Sequence, residues 1–491
     1  MKPTQVKKSQ QLIDRAESLA EKYSKRYPGF MRVLENSTLS RAISLQPHHY
    51  AQLGMSLDKV RNYIKLKEAD GTATDLGTVP NIALDVVTYN FVSSATPIIC
   101  NMQQLSDERG IVWYEQTKAT TTRGNVTAGQ ILQNPLAAPQ VYAEGYANAQ
   151  LTVNLGTTVN SQLDYTYTAA FERVPVKPRS VRVVVNMPTG ILLATDPNGD
   201  GNLFGNGLLG TVDYETGDVV LKFGDNPGAN IPVVGTYATD IEASGNISTI
   251  NVDLLSKEIN ATAYALQAQI GLFKQYAMSK RLGINASDRL AQKLSDEMAN
   301  ELTTQAIAMV EANAVGVTNW NKAMPAGVSW YLHKQGFKDA LNEAEGVIFD
   351  NAGRGGITCI IASRKAATLF KSMPGFSKAA LPVGAGATLY GTYEGVPIIR
   401  APQLDDGPSS AYPNGFAIPL YRGDQPYDGA IVHGTYMPLV SIKDIPVSTN
   451  ITMQRQGVAT WSGFAVTAPN FITRLNIIDD SASNIVYTQQ A

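Results

Sequence analysis

The chain has 491 residues, with 40 Lys and Arg against 42 Asp and Glu and a formal net charge of −2, so its overall electrostatics exclude a general nucleic-acid binder. A hydrophobic share of 44% with 17% charged residues, 41 Gly, 25 Pro and 22 Tyr fits two or three domains rich in strand and turn. Such a composition suits either an ordinary β-rich globular protein or one whose surface is largely covered by neighbours. Only Cys100 and Cys359 are present, far apart in sequence, which excludes a disulfide framework or a cysteine metal site and fits a reducing compartment. No run of about 18 apolar residues and no apolar stretch after Met1-Lys2-Pro3 is present, so neither a membrane-spanning helix nor a secretory signal is expected.

Residues 1–75 read as a basic helical arm. Leu12, Ala16, Leu19, Ala20 and Tyr23 make a helical stripe, and Lys7, Lys8, Arg15, Lys22, Lys25, Arg26, Arg32 and Arg41 outnumber the acids around them. The first reading is a solvated charged face; docking on an acidic partner or packaged nucleic acid is the alternative. His48 and His49 lack a carboxylate framework and read as surface or interface residues.

Residues 76–150 read as an arm strand followed by an extended loop. Val79 to Thr88 and Thr96 to Cys100 are apolar and extended in character, and Gly110 to Gln116, with Trp113 and Tyr114, is a strand by its β-branched and aromatic content. Residues 117–150, rich in Thr, Ala, Gly, Asn and Gln, lack a core-forming period and read as an arm reaching another subunit. On that reading, deleting residues 117–140 leaves a folded subunit that does not assemble.

Residues 151–240 read as a self-contained β module, a small sandwich. Ser180 to Val185 is a strand, and Gly210 to Tyr214 with Asp218 to Phe223 flank a Glu215-Thr216-Gly217 turn as a hairpin. Asp196, Asn198 and Asp200 stand at alternate positions, the beginning of a calcium-loop pattern. The twelfth position would be Gly207 in place of Glu, so an Asx and Gly turn is the favoured reading.

Residues 241–356 carry the most helical text. Leu290, Leu294, Met298, Leu302 and Ala306 recur every four residues from Asn285 to Ala314, with Arg289, Lys293 and Glu297 on the wet side. Asn285 or Ser287 is the expected N-cap, with Asp288 favouring the positive end of the helix dipole. At ~1.5 Å per residue this rod runs roughly 40 Å. A second helix, about Ile259 to Leu282, is expected to stop at Gly283. Residues 357–430 begin with a buried strand, Ile357 to Ala362, running into a helix capped by Ser363, and strands follow at Gly395 to Arg400 and Gly415 to Leu420. Residues 431–491 read as returning strands and a tail. The class is α+β, a sheet with long helices across one face.

No catalytic constellation emerges. The four histidines lack a Ser or Cys in a strained Gly-flanked turn, and no phosphate-cradling glycine loop is present. Gly384-Ala385-Gly386-Ala387 lacks the third glycine and following helix of a dinucleotide fingerprint. His333 reads as a satisfied surface histidine, and Asp405-Asp406 as a turn. Enzyme chemistry and cofactors are not expected.

Three stretches then become specific: Ala263 to Ala286 with Leu294 to Leu302; Leu420-Tyr421-Arg422-Gly423 followed by Tyr427-Asp428-Gly429-Ala430-Ile431 and Thr435 to Leu439; and the arm strand from Pro80 to Pro97. The chain resembles the major capsid proteins of tailed bacteriophages, with the Hong Kong-type capsid fold, and is most similar to the T-even-like contractile-tailed branch. The resemblance implies a shell subunit: a peripheral domain over residues 241–356 with a spine helix, an axial domain over 357–430, an extended loop and an outward β insertion. It implies hexamers and pentamers enclosing double-stranded DNA by weak non-specific contact, with scaffold, portal and decoration proteins as partners, in a virion assembled in the host cytoplasm. Trp113, Tyr114, Lys118, Arg123, Arg289 and Lys293 are the expected intersubunit contacts. Some relatives crosslink a loop lysine, which would point to Lys118, but no acidic catalyst or asparagine partner for it is recognisable. An encapsulin-like shell, a tail sheath protein and a carbohydrate-active enzyme are the competing readings.

Overall fold

The four-residue spacing from Leu290 to Ala306 produces one long helix, which in the computed structural model of the protein spans Ala286–Ala312. The structure describes residues 3–479 except 44, 70–83, 85–86, 89, 93, 134–145, 148–149, 159–164, 189, 245–246, 284–285, 326, 380–385, 426–427 and 447–451. The expected strand residues Val79 to Ala83, the loop 134–145, the cap at Asn285 and Gly384-Ala385 therefore lie outside the described residues, as do the side chains of Ser287 and Asp288; Leu84, Val87, Thr88, Phe91 and Val92 of the expected arm strand are helical instead, Thr88 Oγ1 donating to the Leu84 carbonyl at 3.0 Å.

The chain opens with helices α1 (Pro3–Arg26), α2 (Pro28–Glu35), α3 (Thr38–Ala42), α4 (Pro47–Ala69) and α5 (Thr96–Ile99), then strands β1 (Asn101–Gln104) and β2 (Arg109–Ala119). After β3 (Ile131–Gln133) come β4 (Gln150–Thr157), β5 (Thr166–Ala170), β6 (Arg182–Met187), β7 (Gly190–Thr195), β8 (Asn202–Gly205), β9 (Leu208–Val212), β10 (Asp218–Phe223), β11 (Pro232–Ala238) and α6 (Ile241–Ser244). The chain continues through β12 (Ile250–Asn260), β13 (Thr262–Gly271), α7 (Leu272–Leu282), the long helix α8 (Ala286–Ala312), β14 (Gly316–Asn321) and α9 (Trp330–Ala352). Last come β15 (Cys359–Ala362), α10 (Arg364–Lys371), β16 (Phe376–Lys378), β17 (Thr388–Tyr393), β18 (Val396–Arg400), β19 (Phe416–Leu420), β20 (Ile431–Pro446), β21 (Met453–Val466) and β22 (Thr473–Ile478).

Two compact units result: Met1–Thr117, Gln133–Gln140 and Val252–Ala491 form the first, and Lys118–Leu132 with Val141–Asn251 the second. In the first unit a seven-stranded sheet has the order β14-β22-β19-β15-β18-β17-β16. Its strands alternate strictly: Cys359, Ile361, Ile399 and Ile418 enter one core, whereas Ile360, Ala362, Ile398 and Ala417 enter another. Period-two side chains thus bury both faces. Phe337, Leu341 and Phe370 of α9 and α10 fill the second core; Leu34, Leu53, Leu57, Ile307 and Val310 of α2, α4 and α8 fill the first. Helices on one face only, as the sequence suggests, would leave half of these apolar residues wet. The sheet also recruits β14 and β22 from segments that the sequence assigns to the peripheral domain.

A second sheet, of order β1-β20-β21-β13, lies on α8. Leu294, Met298 and Leu302 meet Leu439 and Val458, with Tyr264 and Ala268 of β13 alongside. Burying each of these Leu, Met and Val side chains contributes about 1.5–3 kcal/mol. Here the expected helix from Ile259 is corrected: residues Thr262 to Gly271 pair antiparallel with β21 in unbroken register, Thr262 opposite Ser462 and Gly271 opposite Met453. The helix starts at Leu272 and ends, as expected, at Gly283, whose φ of 63° is the left-handed cap conformation. Thr96 to Ile99, read as extended, is instead a turn of helix with Pro97 near its start. In the arm, α4 crosses α1 at Gly54, where an added Cβ would lie 2.2 Å from Tyr23 Cγ.

The second unit is built on an eight-stranded sheet of order β4-β11-β6-β7-β8-β9-β10-β5, including the expected β9–β10 hairpin. Its halves share one core of Val183, Val185, Leu203, Leu208, Val219, Leu221, Val233 and Tyr237. The end strands are tied together by Tyr167, whose Oη donates to the Leu155 carbonyl at 2.7 Å. Part of the supposed coreless loop is packed: Ala119, Val126 and Tyr146 form a small buried cluster.

Candidate assembly surfaces

The expected contact residues fall into different environments. Arg289 and Lys293 lie exposed on the wet flank of α8, as its four-residue apolar period dictates. Trp113 is 43% exposed on β2, its backbone N–H and carbonyl both held by the Gln103 side-chain amide at 3.2 Å. Tyr114 and Lys118 are half-buried. Arg123 is enclosed within its own unit at 5% exposure.

Sequence reasoning missed the most exposed apolar group of the first unit. Leu272, Phe273 and Tyr276 on α7 are 49%, 78% and 66% exposed, beside Lys274, Lys280 and Arg281. Taking residues 259–282 as one helix hid them, because their period then merges with that of β13. A second group, Trp330, Tyr331 and Leu332, opens α9 behind the Ser329 N-cap, with Lys334 Nζ 5.2 Å above the Trp330 ring. Large exposed aromatics gathered on one element mark surfaces that another molecule covers.

The Leu420 to Ile431 signature is structural. Gly423 N–H donates to the Asp428 carbonyl at 2.7 Å, and Asn101 Nδ2 donates to the carbonyls of Gln425 and Asp428 at 2.9 and 2.6 Å. This turn buries Arg422, whose Nη1 lies 3.2 Å from His49 Nε2. Gln46 N–H lies 3.1 Å from His49 Nδ1, so a neutral His49 ring faces a donor at each nitrogen and can accept from only one of them. His48 and His49 are therefore not surface residues; they are 4% and 1% exposed, with ring centroids 3.9 Å apart and planes tilted by 35°. Burial, reinforced by Arg422, lowers His48 to about 3; burial, then His48 and Arg422, lowers His49 to about 2. His433 is lowered to about 4 by burial, with neither ring nitrogen hydrogen-bonded. His333 is likewise buried, its Nε2 3.0 Å from the Asn321 carbonyl.

Asp196 spends its carboxylate internally: Oδ2 accepts from Arg179 N–H at 2.9 Å and from Tyr214 Oη, and Oδ1 from Gly199 N–H at 2.8 Å. Asp200 accepts from Asn202, and the Asn198 carbonyl from Arg179 Nε at 3.1 Å. Asp406 accepts from Lys365 N–H at 2.7 Å and Arg364 Nη2 at 3.0 Å, capping α10 beside the expected Ser363 N-cap. Among the described residues no group of three or more His, Cys, Asp or Glu is disposed to hold a metal ion, and no helix is long and apolar enough to cross a membrane.

The chain is similar to several solved structures. An encapsulin complex from Synechococcus elongatus is 13% identical with a TM-score of 0.31, the match covering 48% of this chain and 81% of that one. The capsid of Helicobacter pylori bacteriophage KHP30 is 14% identical with a TM-score of 0.31, covering 49% and 78%. A Microbacterium phage Oxtober96 structure is 11% identical with a TM-score of 0.30, covering 63% and 90%. No curated protein matches the chain. The family model described as major capsid protein Gp23 matches residues 188–487, more than half of the chain. That match decides the assignment: the chain belongs to the major capsid protein Gp23 family, the structural shell proteins of bacteriophage virions.

Proposed function

We propose that this capsid shell protein forms hexamers and pentamers that close into an icosahedral head around double-stranded DNA. The family match over residues 188–487 carries the reading. The exposed Leu272, Phe273 and Tyr276 of α7 support it, since apolar surface of this kind is expected to be covered in a large obligate assembly. Closed symmetry then sets the repeat of contacts. A net charge of −2 keeps contact with packaged DNA weak and non-specific. Scaffold, portal and decoration proteins are the further partners, and assembly takes place in the host cytoplasm. The protein acts by packing, without catalysis. An encapsulin-like compartment is the second reading, favoured only by the likeness to the encapsulin complex.

Electron microscopy and light scattering of the purified, recombinantly expressed chain test the proposal. Closed shells, tubes or capsomer rings are expected. A chain that stays monomeric at all concentrations, with or without a co-expressed scaffold, would refute it.

A further inference from the structure

Among the described residues, the sheet on α8 ends in an unprotected edge, the strand β13. It is 10 residues long, runs in unbroken register with β21, and carries neither a charge nor a proline from Thr262 to Gly271. Natural edges are usually short, bulged or charged, so that no further strand adds to them. The opposite edge of the same sheet, β1, has only 4 residues.

The register fixes which backbone groups are open. Leu272 N–H donates to the Thr452 carbonyl at 2.7 Å, one position past Gly271, which stands opposite Met453. Antiparallel ladders bond at every second pair, so the even-numbered residues of β13 bond to β21, and the N–H and carbonyl groups of Ala263, Ala265, Gln267, Gln269 and Gly271 face outward. Ala261 has the same parity, and its N–H indeed turns away from β21, to the Glu108 carbonyl at 2.9 Å. Among the described residues no strand pairs with this edge, and Ala263, Ala265, Gln267 and Gln269 are exposed.

The open stretch is bounded at both ends. Ala261 is engaged by Glu108, and at Leu272 the chain turns into α7, so the stretch is centred on Gln267. A second copy laid antiparallel along it, with Gln267 opposite its own image, pairs Ala265 with the partner's Gln269 and Ala263 with the partner's Gly271. On the face toward α8, Leu266, 37% exposed, meets the partner's Ala268, and Tyr264 meets the partner's Ile270. A two-fold contact sets a strand against its own image, where like charges would repel; β13 has none. The partner's α7 then starts beside Glu108, so that its exposed Lys274, Lys280 and Arg281 approach the exposed Asp107 and Glu108.

We propose that β13 is a two-fold contact at which two copies of this chain join their sheets edge to edge. The proposal rests on the self-assembling reading above and names one contact surface within it.

Cysteine pairing tests it on the purified full chain, in which the native Cys100 and Cys359 are buried. Gln267→Cys should give a disulfide-linked dimer under mild oxidation, because hydrogen-bonded antiparallel neighbours have Cα atoms about 5.5 Å apart, within disulfide reach. Ala265→Cys should give none, since its image lies further along the strand, roughly 14 Å away. By light scattering, Gln267→Lys and Gln267→Glu should each lose the association, and mixing the two should restore it, as opposite charges then face each other. A Gln267→Cys crosslink in a chain that forms no shells would support this contact while refuting the shell reading. No crosslink from Gln267→Cys, an equal one from Ala265→Cys, shells of normal size from Gln267→Lys alone, or no rescue on mixing would overturn the proposal.

Discussion

His433 shows how a single residue can set the pH range of this shell protein. Its ring lies 4.6 Å from Phe464 between β1 and β21, 5% exposed, with neither nitrogen bonded. Its pKa falls to about 4, whereas in the unfolded chain it stays near 6.5. The folded value is depressed for a base, so the unfolded state binds more protons between pH 6.5 and 4, and stability is lost as pH falls through that window. At pH 5 the loss from His433 is roughly 2 kcal/mol. His48 and His49 act in the same direction. Urea unfolding at pH 7.5 and 5.0 should therefore show a smaller acid penalty in His433→Leu than in wild type, by about that amount; identical penalties would rule this account out. None of these burials was legible in sequence, because the groups enclosing the histidines are distant: Arg422 lies 373 positions from His49.

At the scale of elements, α7 carries the surface argument. Phe273 and Tyr276 project from a helix whose start is tied to the sheet by Leu272 N–H donating to the Thr452 carbonyl at 2.7 Å. Neither side chain supports the core, so Phe273→Asp with Tyr276→Asp should leave the circular dichroism spectrum and melting point of the subunit within ~2 °C of wild type. Assembly should nevertheless fail, with light scattering reporting only subunits or small oligomers. Shells of normal size from the double variant would show that α7 is no contact. The sequence named this stretch for the wrong reason. Ala263, Ala265, Leu266, Gln267 and Ala268 favour helix locally, and the apolar period of a short segment fits either state. Pairing with ten successive residues of β21 overrides that preference. By contrast α8 was legible because its stripe is long and meets one continuous surface. The helix α9 carries the same signal in Phe337, Leu341, Ala344 and Ile348 behind Ser329.

The whole molecule is two units with separate cores, which revises what a deletion can test. Removing residues 117–140 would take Ala119 and Val126 out of the small cluster with Tyr146, damaging the second unit as well as shortening the arm. Replacing residues 118–251 by a short Gly-Ser linker removes the whole second unit together with the Gln133–Gln140 segment of the first. Strands β2 and β12 lie side by side where the chain leaves and re-enters the first unit, and neighbouring strands are ~4.8 Å apart, so a few residues can close the gap. The cores around Leu53, Ile361 and Phe416, around Phe337 and Ile398, and around Met298 and Val458 lose no member. Calorimetry should then show the transition of the first unit retained within ~5 °C and the transition of the module gone, since stability belongs to each independently packed core. Aggregation, or loss of near-ultraviolet dichroism from the buried Trp320 and Phe416, would mean that the first unit depends on the module for its folding, and the insertion would have to be regarded as part of the shell fold itself.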